Sequence, residues 1–142
     1  MIRRFLVVFS IIGVLFAAAV PLTPAAAGSH DPLFVNLTSD DAHRVRMALA
    51  FAEGQAKLGD PVTIWLNDRG VHAGSKAKAG DFAEAQAKLA GLIAGGAVVI
   101  ACPLCIKHYG VAETDLLDGI KVGNPQMMSD VLFKDDTQSL TW

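Results

Sequence analysis

Cysteine is scarce. The 142-residue chain has two, and both lie in Cys102-Pro103-Leu104-Cys105. No second Cys pair or spaced His pair completes a four-ligand structural zinc site, and two cysteines do not make a disulfide-built scaffold. An excess of basic residues is also missing: 12 Lys and Arg stand against 14 Asp and Glu, for a formal net charge of −2. Nothing in that balance recruits nucleic acid. There is no internal repeat, and the only low-complexity tract is alanine-rich and close to the amino terminus. The pattern calls for no cofactor.

The one long apolar run is Phe5 to Val20, broken only by Ser10 and Gly13. Arg3 and Arg4 precede it, and Ala25-Ala26-Ala27 offers small residues for a peptidase. This is the pattern of a secretory signal peptide over residues 1–27. The run is short for a membrane span, and Pro21 and Pro24 follow it directly, which argues against an uncleaved anchor. Its removal leaves about 115 residues, a single domain over 28–142 that can bury a core of its own. The expected location is periplasmic or secreted, with no membrane attachment after cleavage. In an oxidising compartment two thiols this close can pair.

Strand and helix patterns alternate through the rest. Pro32 to Leu37 reads as a first strand, and Thr38-Ser39-Asp40-Asp41 offers helix caps. Ala42, Val45, Leu49, Ala52 and Ala56 recur at helical spacing as far as Leu58, and Gly59 stops the helix. Pro61 to Leu66 is a second strand, closed by the turn Asn67-Asp68-Arg69-Gly70. Val71 to Gly80 has no clear period and reads as an exposed loop, with His72, Ser75 and Lys76 candidates to cover the sheet edge. From Asp81, Phe82, Ala85, Leu89, Leu92 and Ile93 form an apolar stripe, with Glu84, Gln86 and Lys88 on the wet side. Ala97 to Ala101 is a third strand, Pro103 to Tyr109 a short helix, Ile120 to Val122 a brief fourth strand and Asn124 to Phe133 a last helix. Gln138 to Trp142 reads as a fifth strand. The implied fold is α/β, three-layer α/β/α and flavodoxin-like, with a mostly parallel sheet of about five strands.

The chemistry centres on Cys102, between the end of a strand and the start of a helix, where free backbone N–H groups favour a thiolate. Three uses are open. Cys102 can accept a sulfane sulfur as a persulfide, with Cys105 resolving or protecting it. The pair can cycle as a dithiol and disulfide, as the C-x-x-C spacing permits, although in thioredoxin-type proteins the motif comes earlier in the fold. Both cysteines can simply pack as small apolar residues in a non-catalytic, oligomeric binding module. Lys107 and His108 can hold the thiolate through charge or as an acid. Asn36, Thr38, Ser39 and Asp40 share the carboxyl edge of the sheet with Cys102 if the first and third strands are near neighbours, and can line a pocket there. Cleavage after Ala27 would also create Gly28-Ser29-His30, whose amine, amides and imidazole suit Cu(II); no other metal site is expected.

At these residues the chain resembles the DsrE/DsrF/TusD-like proteins of sulfur relay and sulfur oxidation. The likeness runs through the apolar strand into Cys102, Gly110 eight positions later, the acidic Val111-Ala112-Glu113-Thr114-Asp115 stretch and a hydrophobic terminal strand. It implies that Cys102 is the sulfur carrier and that Cys105 matches a second cysteine present in some members. It also implies a trimer or hexamer, with donor and acceptor proteins or small thiols as partners. Where many members have Arg before the glycine, this chain has Tyr109. Well-known relay members work in the cytoplasm, whereas this chain carries an export pattern.

Cleavage is directly testable. Terminal sequencing of the protein recovered from its own cells is expected to begin at Gly28; a chain retained in the membrane fraction with Met1 to Ala27 attached would refute export by cleavage, and with it the Cu(II) terminus.

Overall fold

The computed structural model describes residues 30–142; the signal pattern, Gly28 and Ser29 lie outside the described residues. Five strands, β1 (Leu33–Leu37), β2 (Val62–Leu66), β3 (Val98–Ala101), β4 (Lys121–Val122) and β5 (Gln138–Thr141), form one sheet in the order β4-β3-β2-β1-β5. Every pairing is parallel. Parallel neighbours need crossovers, and the helices supply them: α1 (Ala42–Leu58), α2 (Ala79–Ala94), α3 (Pro103–His108) and α4 (Pro125–Leu132).

Alternation along the strands sorts the two faces. Leu33, Val35, Leu37, Val62, Ile64 and Leu66 join Val45, Ala48, Leu49 and Ala52 of α1 and Ala85, Leu89 and Leu92 of α2 in one core. Each fully buried Leu, Ile or Val there contributes about 1.5–3 kcal/mol. Phe34 and Trp65 point the other way and share a cavity with Met128 and Leu132, which puts α4 on the opposite face. The result is a three-layer, flavodoxin-like α/β/α fold. Met127, Met128, Val131 and Leu132 have the spacing of an inward face; all four are half-buried, and Met128 and Leu132 meet the sheet.

Local chemistry sets the helix ends. Asp41 caps α1, its Oδ1 accepting the Arg44 N–H at 2.8 Å, and Gly59 ends it at φ 97°, in the left-handed region. Asn124 caps α4 through the Met127 N–H at 2.9 Å. Among the described residues no helix is long and apolar enough to cross a membrane.

The segment between β2 and α2 differs from its sequence reading. It is not an exposed loop: Asp68–Gly74 and Lys76–Lys78 form 3₁₀ turns, and Gly70, Val71, Ala73, Gly74 and Ser75 are buried. Small residues let this backbone lie against the sheet, a property that leaves no hydrophobic period. Helix α2 starts earlier than expected, at Ala79, and is kinked at Phe82. Gln86, expected on the wet side, is 8% exposed and donates from Nε2 to the Ser75 carbonyl at 2.6 Å. That bond fastens the buried turn to the helix, and Ser75 Oγ donates in turn to Asp115.

Gly70 is the tightest point, since a Cβ there would lie 2.1 Å from the Leu37 carbonyl oxygen. Gly70→Ala is expected to cost about 2–4 kcal/mol in urea unfolding. Gly54, with nothing within 4 Å of a built Cβ and a place inside α1, is the control. Gly54→Ala should stabilise by about 0.5–1 kcal/mol. Equal effects at the two positions would contradict this packing.

Candidate functional site

The site is assembled by the register between two strands. Leu66 of β2 pairs with Ala101 of β3, and the Cys102 N–H donates to the Leu66 carbonyl at 2.9 Å, so the chain leaving β2 runs beside the cysteine motif. Cys102 is the N-cap of α3 and Pro103 its first residue, where proline loses no helical hydrogen bond. The two cysteines form a disulfide, with Cα atoms 5.1 Å apart. Each sulfur meets a backbone donor: the Cys105 N–H donates to Cys102 Sγ at 3.2 Å and the Asp68 N–H to Cys105 Sγ at 3.2 Å. Because α3 has only six residues, its macrodipole is slight, and these individual amides replace the helix field that the sequence suggests.

The sulfurs differ in exposure. Cys102 is 8% exposed and belongs to the hydrophobic core. Cys105 is partly exposed and lines an open cavity of about 380 Å³ with Asn67, Asp68, Leu104, His108 and Tyr109. Cys105 Sγ also lies 3.3 Å from Asn67 Oδ1, which would accept from a Cys105 thiol once the disulfide is reduced.

Asp68 takes φ 45°, a left-handed conformation unusual for a residue with a Cβ, and that conformation presents its amide to Cys105. Two contacts hold it: Asn67 Oδ1 accepts the same N–H at 2.9 Å, and the Tyr109 hydroxyl donates to Asp68 Oδ1. The hydrogen bond to the Asp68 carboxylate pushes the Tyr109 pKa up, aided by desolvation and the Asp68 charge, with Arg69 opposing. His72 and His108 pack edge-on to the Tyr109 ring, at 5.2 and 4.7 Å.

The other sequence candidates divide. His108 reaches the cavity; Lys107 is exposed and is not among its lining residues. Strand β2 lies between β1 and β3, so Asn36 meets the site indirectly, its Oδ1 accepting from Asn67 Nδ2 at 3.3 Å. Thr38 donates its N–H and hydroxyl to the Trp142 carbonyl, and Ser39 Oγ accepts the Asp41 N–H at 3.0 Å. Asp40 lies 3.4 Å from His72 Nδ1 and 3.6 Å from an Arg69 guanidinium nitrogen. Thr38, Ser39 and Asp40 do not line the cavity at Cys105; Asp40 lines a separate one of about 390 Å³ with His72, Lys78, Asp81 and Phe82. His30 Nδ1 sits 3.5 Å from Asp60, and the rest of the suggested copper terminus lies outside the described residues. Among the described residues, no group of three or more His, Cys, Asp or Glu is placed to hold a metal ion. Asn67, Asp68 and Tyr109 border the cysteines without a role there that the sequence suggests: Asn67 and Asp68 read as a turn after a strand, and Tyr109 stands out only as the residue where many family members have Arg.

Fold and site together define a three-layer α/β/α domain with a cysteine pair at the carboxyl edge of a parallel sheet. The sequence model of the DsrE/DsrF-like family matches residues 32–137, and the chain belongs to that family. Membership points to a sulfur-relay role, exercised with partner proteins. No curated protein matches the chain. Among solved structures, MTH1491 of Methanobacterium thermoautotrophicum, a protein of unknown function, matches with a TM-score of 0.63 at 16% identity, over 79% of this chain and 99% of its own. The ychN protein of E. coli gives 0.57 at 21% identity, over 79% and 99%. BT1422 of Bacteroides thetaiotaomicron, a conserved protein of unknown function, gives 0.58 at 21%, over 82% and 99%. At these identities the likeness is one of fold.

Tyr109 is the chain's only tyrosine, so its ultraviolet titration is unambiguous. The midpoint is expected above the usual tyrosine value of about 10 and should fall in Asp68→Asn. A phenol that holds its proton more tightly folded than unfolded stabilises the fold fully below about pH 10, and that contribution is lost as pH rises through the folded value. An unchanged midpoint in Asp68→Asn would disprove the clamp.

Proposed function

We propose that this chain is an exported sulfur-handling protein in which Cys102 carries sulfane sulfur and Cys105 resolves or protects it. The observation that carries the reading is the Cys102–Cys105 disulfide at the sheet edge of a DsrE-family domain, each sulfur with its own amide donor. An amide N–H directed at sulfur favours the thiolate, the reactive form.

Loading starts from the dithiol. The Cys102 thiolate attacks the terminal sulfur of a donor persulfide, R–S–SH; a new S–S bond forms, the donor bond breaks, and R–S⁻ leaves with Cys102–S–SH in place. An acceptor thiolate then takes the sulfur by the same displacement. In its absence the Cys105 thiolate attacks Cys102 Sγ and expels HS⁻, which oxidises the two cysteines to the disulfide and reduces the sulfane sulfur to sulfide. The observed disulfide matches that discharged state.

The partners are a sulfur donor and an acceptor, either proteins or small thiols, and the assembly is a homo-oligomer. Exposed Phe51 and Leu140, which border one cavity beside edge strand β5, and exposed Met47, one helical turn from Phe51 on α1, support an oligomer. A second reading, a disulfide oxidoreductase without sulfur transfer, draws on the same bond. The two separate on Cys105→Ser, which abolishes dithiol cycling but leaves loading intact.

Reduced protein incubated with a persulfide donor should gain about 32 Da, one sulfur atom, on Cys102. Cys105→Ser should retain the gain and Cys102→Ser should lose it. A reduced, unmodified Cys102 after that incubation would refute the carrier role.

A further inference from the structure

The pair is asymmetric in a way that the carrier role alone does not require. The geometry points to Cys105 as the sulfur at which an organic thiol opens the disulfide, with Cys102 as the leaving group. This rests on the reading that the pair cycles between disulfide and dithiol.

Three observations converge. Cys105 lines the cavity of about 380 Å³, whereas Cys102 does not and is 8% exposed. Thiol–disulfide exchange requires the incoming sulfur to reach the sulfur it attacks, and a thiol borne on a carbon chain is too bulky for a core position. Second, the sulfur that departs must carry negative charge, and Cys102 Sγ already accepts the Cys105 N–H at 3.2 Å. That donor is in place before the bond breaks; Cys105 Sγ has one at the same distance, so exposure decides between the two sulfurs. Third, the Asp68 N–H, held by the left-handed backbone of Asp68 and the Tyr109 hydroxyl, fixes Cys105 Sγ at the cavity wall.

The step balances. R–S⁻ attacks Cys105 Sγ, the Cys102–Cys105 bond breaks, and the products are R–S–S–Cys105 and a Cys102 thiolate. A second R–S⁻ attacks the sulfur of R and releases R–S–S–R with a Cys105 thiolate, so two thiols are oxidised as the pair is reduced. The cavity wall suits this substrate class: Leu104, 77% exposed, offers an apolar contact, and Tyr109 and His108 offer ring faces and edges to a peptide-sized thiol. Sulfur loading escapes the same rule, because the donor's terminal sulfur stands between Cys102 Sγ and the carbon-bearing R–S, and an acceptor attacks that outer sulfur; sulfide, smaller still, can leave from Cys102 during discharge while the reductant enters at Cys105.

The test uses the full mature chain in its oxidised form. Glutathione is added, the reaction is stopped early with excess maleimide, and fragment mass spectrometry locates both labels. Glutathione on Cys105 with maleimide on Cys102 is expected. Glutathione on Cys102 with maleimide on Cys105 would overturn the assignment and leave the carrier reading standing. No glutathione on either sulfur would overturn it too, and sulfur loading of the reduced protein then decides the carrier role separately. As an independent measure, Cys105 in Cys102→Ser should react with a bulky maleimide at least about tenfold faster than Cys102 in Cys105→Ser. Equal rates would count against the access argument.

Discussion

The constraint on which the site depends is the parallel register of β2 against β3. With Leu66 opposite Ala101, the first residues after each strand lie side by side, and the backbone of Asp68 reaches a sulfur 37 positions along the chain. A one-residue slip of β3 against β2 would turn Val99 and Ala101 from the core to the opposite face, at the expense of their buried apolar area. Hydrophobic burial therefore fixes the register that sets the cysteines beside Asn67 and Asp68. The amide donors are consequences of the core.

The cysteine edge is not the place where chain direction around the sheet reverses. Strands run β1 to β4 outward on one side, and α4 carries the chain back across the second face to β5 on the other side of β1. In open α/β sheets the crevice at such a reversal is the usual ligand position. Here it is closed: the Trp142 carbonyl accepts both the N–H and the hydroxyl of Thr38, and the Trp142 ring lies 5.7 Å from Phe51. The cavity that Cys105 lines lies two strands over from β1, at the end of β3, and a second one at the same edge is lined by Asp40 and His72. Thr38 and Ser39, at the right edge by sequence, therefore fasten the end of β1 to Trp142 and to the start of α1, away from the cysteines.

Most of the framework was legible because its signals are local. Val45, Leu49 and Ala52 repeat at helical spacing, Val62 to Leu66 alternates with β-branched and aromatic residues, and Asp41 and Asn124 sit where caps belong. The segment from Asp68 to Lys78 was not legible. Its burial comes from Gly70, Ala73 and Gly74 fitting under neighbours, and small residues mark close approach and open loops alike. Gln86 reads as solvent-facing for a related reason: its polarity answers a single carbonyl, Ser75, eleven positions away. Of the site, Cys102 and Cys105 could be found because a strand runs directly into them. Asn67 and Asp68 could not, since their role follows from strand order, and order is a long-range property.

Tyr109 shows what a departure from a family pattern can mean physically. An arginine at that position would act on a sulfur anion by charge, with a strength that falls as salt rises. Tyr109 acts one step removed: its hydroxyl holds the Asp68 carboxylate, and Asp68 in turn directs an amide to Cys105. An amide N–H does not titrate, and at hydrogen-bond distance mobile ions screen it little. The same bond keeps the carboxylate occupied, which limits its repulsion of a neighbouring thiolate. At this position the chain thus offers a hydrogen-bonded clamp on Asp68, whose left-handed backbone turns an amide to Cys105, where an arginine would offer a charge.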